Sequence, residues 1–177
     1  DRSVAIKVLH ESARSEIVLR RFELERDTLA GLQHPGIANI IDAGTTEEGA
    51  PYFVMEYVAG ATITEHCDAQ RLDIDARLAL FLHVCAAVQH AHQNGILHRD
   101  LKPGNILVRG GETPQVKVID FGLAKALLSG PSNAKGLTEE GRMIGTPEYM
   151  SPEQAAGSSV DTRSDVYALG IVAFELL

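Results

Sequence analysis

The chain has 177 residues, enough for a substantial buried core, and 45% of them are hydrophobic, which excludes a disordered polypeptide. Its 16 Lys and Arg against 24 Asp and Glu give a formal charge of −8, so no broad basic surface is offered to a polynucleotide. The two cysteines, Cys67 and Cys85, lack Cys-x-x-Cys spacing and point to reduced thiols in a cytoplasmic compartment, and the richest apolar stretches, LALFLHVCAAV and YALGIVAFELL, fall well short of the roughly 20 residues of a membrane span.

From the N-terminus, SVAIKVL and GAPYFVMEYV predict two strands, with GIANIIDAG a third between them, so the first part of the chain carries a small sheet. After the first strand the spacing predicts a long helix over residues 13–33, in which Val18, Phe22, Glu25, Leu29 and Leu32 recur on one stripe. Glu25 lies on the inward stripe, where a carboxylate is costly unless a cation meets it, and Lys7 in VAIK is the available cation. The texture turns helical after EYVAGAT, residues 56–62, where Leu78, Phe81, Cys85, Val88 and His92 mark one face of a helix that stops at Asn94-Gly95. VKVID reads as a strand before a Phe-Gly turn. Residues 125–150 are poor in periodic apolar positions, and DTRSDVYALGIVAFELL is a helix opened by Asp161.

The anomaly in this frame is ILHRDLKPGNILV, residues 96–108. Both ends are apolar and strand-like, yet the middle holds His98, Arg99, Asp100, Lys102 and Asn105. Pro103-Gly104 alone satisfies the needs of a turn, so the charges ask for a chemical explanation.

VAIK, the helical Glu25, HRDLKPGN, DFG at 120–122 and SPE at 151–153 stand in the order found in eukaryotic-type protein kinases, which the chain resembles over essentially its whole length. Lys102, two residues after Asp100, together with GTPEY, is similar to the Ser/Thr branch, and YFVMEYV, AHQNGILHRD and SPEQAAG resemble its bacterial, Hanks-type members. The resemblance implies an α+β, two-lobed kinase fold: a small β-rich N-lobe with one long helix, then a helical C-lobe. Residues 1–57 would be a partial N-lobe and 58–177 a partial C-lobe. Truncation at both ends is expected, because the family's glycine-rich loop precedes VAIK and the chain stops at Leu177, inside the helix resembling the central helix of the large lobe.

The implied function is ATP-dependent phosphorylation of Ser and Thr hydroxyls on protein substrates, autophosphorylation included, with ATP and Mg²⁺ as cofactors. By resemblance Asp100 accepts or orients the hydroxyl proton, Lys102 stabilises the transferring phosphoryl group, and Asn105 with Asp120 holds Mg²⁺. Lys7 would contact the α- and β-phosphates while Glu25 fixes its position. Ala5 and Leu107 would enclose adenine, Glu56 and Val58 would bond it through backbone groups, and Met55 would limit the depth of the pocket. Arg99, Lys125 and Arg21 would converge on a pocket for phosphorylated Thr138, with Glu139 or Glu140 as the alternative occupant. Thr146 is expected to contact Asp100 and Lys102. His98 is expected to stack with Phe121 and Leu29 rather than to carry protons, and Asp165 to accept hydrogen bonds from the backbone of the catalytic loop. His66, His83, His90 and His92 read as packing or surface residues.

The competing reading is a catalytically inactive kinase-like binding module, for which truncation is the only support, since Lys7, Asp100, Asn105 and Asp120 are all present. Small-molecule phosphotransferases share the catalytic Asp and Asn but are not expected to carry HRDLKPGN with GTPEYMSPE. Expected partners are ATP and Ser/Thr-bearing proteins, with no nucleic acid and no membrane contact within this segment. Dimerisation is one route to autophosphorylation, and the expected location is cytoplasmic, compatible with an anchor outside this chain.

Overall fold

The alternation of VAIKV sends Val4, Ile6 and Val8 to one face of strand β1 (Val4–Val8) and Ala5 and Lys7 to the other. In the computed structural model, which describes residues 3–9, 29, 31–111, 113–121 and 146–177, Ile6 is 63% exposed whereas Ala5 and Lys7 turn inward. Strand β1 pairs antiparallel with β3 (Pro51–Glu56), and β3 pairs with β2 (Ile40–Thr45), in the order β1-β3-β2. The register sets Ala5 opposite Met55 and Lys7 opposite Phe53. An apolar wall and a lysine therefore share the inner face of the sheet. Strand β2 starts at Ile40, later than the run GIANIIDAG suggests. Ile37 instead bridges to Val118, and the neighbouring Val118 N–H donates to Gly36 O at 2.8 Å.

After Glu56 the chain crosses Val58, which is buried, and enters a second antiparallel sheet of β4 (Ala61–Thr62), β5 (Ile106–Arg109) and β6 (Gln115–Val118). Gly60 is required here: a Cβ would strike the backbone of Val108. Helix α1 (Ile63–Ala69) opens on a capping box between Thr62 and Glu65, and α2 (Ile74–Gln93) opens on Asp73, whose carboxylate accepts from Ala76 N–H. Among the described residues two more helices follow, α3 (Pro152–Ala155) capped by Ser151 and α4 (Thr162–Leu176) capped by Asp161 as the sequence implies. The core runs through both sheets and the helices, joining Phe53, Met55, Val84, Val88, Ile106, Val118 and Val172.

The face that the sequence marks on α2 holds in part: Val88 is buried and Phe81 packs against the core, but Leu78 is exposed. The buried residues of α2 are Leu80, Val84, Ala87, Val88 and Ala91, while Leu78 and Leu82 are exposed. The helix carries apolar residues on most of its circumference, so hydrophobicity leaves its rotation undetermined; on the buried face the small Ala87 lies close to Gly36. Both cysteines are free thiols. Among the described residues, no helix is long and apolar enough to cross a membrane.

Candidate active site

Helix α2 ends in a way that delivers the anomalous loop. Gly95 adopts φ 72°, its N–H donates to His92 O at 3.0 Å, and Ile96 N–H donates to Ala91 O at 2.9 Å. This is a Schellman termination, which only glycine enters without steric cost. Ile96 and Leu101 are then buried as anchors on either side of the charged residues.

Two non-glycine residues of this region, Arg99 (φ 68°) and Asp120 (φ 65°), occupy the left-handed conformation. Each costs about 1–2 kcal/mol, so surrounding bonds must hold it. For Arg99 they do. Its N–H donates to Asp165 Oδ1 and the N–H of His98 to Asp165 Oδ2, both at 2.8 Å, while Gln154 Nε2 donates to Arg99 O at 2.8 Å. Asp165 is 1% exposed. Burial pushes its carboxyl up, but the hydrogen bonds from His92 and from the two backbone N–H groups outweigh this and leave it below the ordinary value.

His98 is fully buried, edge-on to Phe121 with ring centroids 4.7 Å apart. Its Nε2–H donates to Ile119 O at 2.9 Å and its Nδ1 accepts from Asp100 N–H at 3.3 Å. Both nitrogens of a neutral imidazole are thus used, and burial lowers the pKa in agreement. The expected contact with Phe121 is present, but edge-on rather than stacked.

Around Asp100 the polar groups converge. Lys102 Nζ lies 2.9 Å from Asp100 Oδ2 and donates to Thr146 Oγ1 at 2.6 Å. Asn105 Nδ2 donates to Asp100 O at 2.7 Å and to Asp100 Oδ2 at 3.2 Å. With its nitrogen so committed, the Asn105 amide keeps Oδ1 as its remaining acceptor. Ile119 N–H donates to Asn105 O at 2.9 Å, which sets Asp120 beside Asn105. Two hard oxygen donors on adjoining segments suit Mg²⁺, so the residues fit the metal expected from the sequence.

Lys7 Nζ donates to Asp120 Oδ2 at 2.6 Å, joining the first sheet to this cluster. Met55 lines a cleft together with Leu29, Phe121 and Asp120, and Ala5 and Leu107 are both half-buried. Glu56 has a second role in its side chain. Lys117 Nζ donates to Glu56 Oε2 at 2.8 Å and Arg109 Nη2 lies 3.3 Å from Oε1, while Glu56 N–H donates to Asn39 O at 2.8 Å. Desolvation raises the Glu56 pKa, but the Lys117 bond and charge prevail and lower it. Arg21, Glu25, Lys125 and Thr138 lie outside the described residues, as does most of the helix expected over 13–33.

A family model described as the protein kinase domain matches residues 1–177. The chain belongs to that family. Relatives include the serine/threonine-protein kinase PknB of Mycobacterium leprae, 44% identical over 99% of this chain and 28% of that protein. A probable PknB of Lactococcus lactis is 43% identical over 100% of this chain and 27% of that protein, and pkn3 of Myxococcus xanthus is 40% identical over 100% and 33%. The chain thus spans about a third or less of the length of these relatives. Among solved structures, the PknI kinase domain of Mycobacterium tuberculosis superposes with a TM-score of 0.73 at 33% identity, covering 98% of this chain and 62% of that one. The fold is accordingly the α+β kinase fold.

Within this kinase domain, sequence reasoning missed three contributors. His92, read as packing, has its Nε2 2.8 Å from Asp165 Oδ2. Lys117 is 8% exposed and fastens β6 to Glu56 and to Ile37 O; the signal was a lysine inside the apolar run VKVI. Gln154 holds the loop at Arg99 O, and its signal was the S-x-x-Q spacing of Ser151 and Gln154, which reads only as a helix cap.

Proposed function

We propose that this kinase domain catalyses ATP-dependent phosphorylation of Ser and Thr hydroxyls on proteins, as the names of its relatives suggest. The observation that carries the proposal is the Asp100 cluster, in which one carboxylate is held by Lys102 and Asn105 while Thr146 ties Lys102 to the segment that follows residue 145. In this reading Asp100 receives the hydroxyl proton, Lys102 stabilises charge on the phosphoryl group, and Lys7 orients the nucleotide's phosphates. Asn105 and Asp120 would hold Mg²⁺, which when bound neutralises phosphate charge. Ala5 and Leu107 would enclose adenine, the backbone of Glu56 and Val58 would bond its edge, and Met55 would close the back of the site. The division of the chain into lobes near residue 57 belongs to the same reading. So does autophosphorylation at Thr138, with Arg21, Arg99 and Lys125 receiving the phosphate and Glu25 holding Lys7.

Incubation of the complete protein with labelled ATP, Mg²⁺ and a Ser/Thr-rich acceptor protein tests this. Asp100→Asn should lower transfer about 100-fold or more while retaining nucleotide binding, whereas Asp120→Asn should also weaken Mg²⁺-dependent nucleotide binding. An active Asp100→Asn enzyme would overturn the base assignment. Nucleotide binding without transfer by the wild type would favour the binding-module reading.

A further inference from the structure

We propose that Gln154 is a positioning residue for phosphoryl transfer, holding the loop that aims Asp100 through the backbone carbonyl of Arg99; this rests on the kinase reading above. Arg99 immediately precedes Asp100 and is left-handed, with φ 68°. Its peptide groups are gripped from two elements: Asp165 at the start of α4 takes the N–H, and Gln154 in α3 donates to the C=O, each at 2.8 Å. Because φ and ψ at this position set the direction in which the next side chain leaves the backbone, both bonds bear on where Asp100 points.

The orientation of the Gln154 amide is determined by its other end. Gln154 Oε1 accepts from Ser151 N–H at 3.1 Å, and Ser151 Oγ accepts from Gln154 N–H at 3.4 Å, completing a capping box on α3. With the oxygen spent on Ser151, the nitrogen faces Arg99. A capping box is served equally by Glu, but a carboxylate cannot donate to a carbonyl. The cap alone therefore does not account for an amide here; the bond to Arg99 does. Thr146, at the other end of the same stretch, is tied to Lys102 at 2.6 Å. Residues 146–154 are thus fastened to the catalytic loop on both sides of Asp100, at residues 99 and 102. The loop's aim is coupled to the seating of that stretch.

The test is Gln154→Glu in the complete protein, since this change keeps the cap and removes the donor. The kinase reading and this proposal fail separately: a wild type that transfers no phosphate sinks both, whereas an active wild type matched by its variant sinks only the role of Gln154. The expected result is a kcat about tenfold below wild type, with the KM for ATP and the melting temperature little changed. The ratio of wild-type to variant kcat should shrink as pH falls from about 8 to about 5, because the introduced carboxyl, once protonated, donates again. Ser151→Ala, which removes the hydroxyl half of the cap but not the Arg99 bond, should lower the melting temperature and keep kcat within about twofold. A Gln154→Glu enzyme with wild-type kcat, or one whose kcat and melting temperature fall together with no pH dependence of the ratio, overturns the proposal.

Discussion

His92 stands in the last turn of α2 with its Nε2 2.8 Å from Asp165 Oδ2, and it completes the set of donors that keep a buried carboxylate charged. Asp165 in turn holds the N–H groups of His98 and Arg99, so the imidazole acts on the loop at one remove. Replacing it by a residue of similar volume without a donor isolates that contribution. His92→Phe should destabilise the domain by about 1–3 kcal/mol, the cost of leaving a buried acceptor short of a partner, as read by denaturant unfolding. His92→Gln, which retains a donor, should recover part of the loss. Equal stability of the Phe variant and wild type would show that Asp165 does not depend on His92.

Among the elements, β6 is the unusual one, because QVKV places Lys117 at 8% exposure between Val116 and Val118. The ammonium is directed to Glu56 Oε2 and Ile37 O. Strand β6 is thereby attached both to the end of β3 and to the stretch before β2. The pair is nearly dry, with side chains 10% and 11% exposed, so removing one partner strands the other. Lys117→Met should cost roughly 3–5 kcal/mol, measured by chemical denaturation. The double replacement Lys117→Met with Glu56→Leu should recover most of it, since a buried pair exchanged for apolar residues of similar volume is often neutral. A double variant no more stable than the single would assign the loss to the Ile37 contact instead.

For the whole molecule these titratable groups set a two-stage response to acid. His98 and His34 are held below their ordinary value of 6.5, chiefly by burial, so the unfolded chain binds protons first as pH falls below 6.5 and stability starts to decline there. Glu56 and Asp165 are held below their ordinary values of 4.5 and 3.8. Their contribution is fully present above those values and is lost as pH falls through the lower folded ones. The melting temperature should therefore be level from about pH 6.5 to about pH 8, decline gently below pH 6.5, and fall more steeply below about pH 4.5. A curve flat from pH 7 to pH 5 would mean that His98 and His34 take up protons alike in the folded and the unfolded chain.

The chain's local grammar determined much on its own. Period-2 alternation placed Ala5 and Lys7 on one face of a strand, Asp161 opened a helix, Asn94-Gly95 closed another, and the order of VAIK, HRDLKPGN and DFG was enough to assign the family, because the residues that perform one chemistry recur at fixed spacing. Tertiary structure alone decided the rotation of α2, where apolar residues surround the helix and the buried face is the one with Leu80, Val84, Ala87, Val88 and Ala91, Ala87 lying close to Gly36. It alone also decided which polar side chains fasten the loop and strand β6. His92, Lys117 and Gln154 meet their partners across separations of 73, 61 and 55 residues, and no local pattern records a hydrogen bond between segments that only folding brings together.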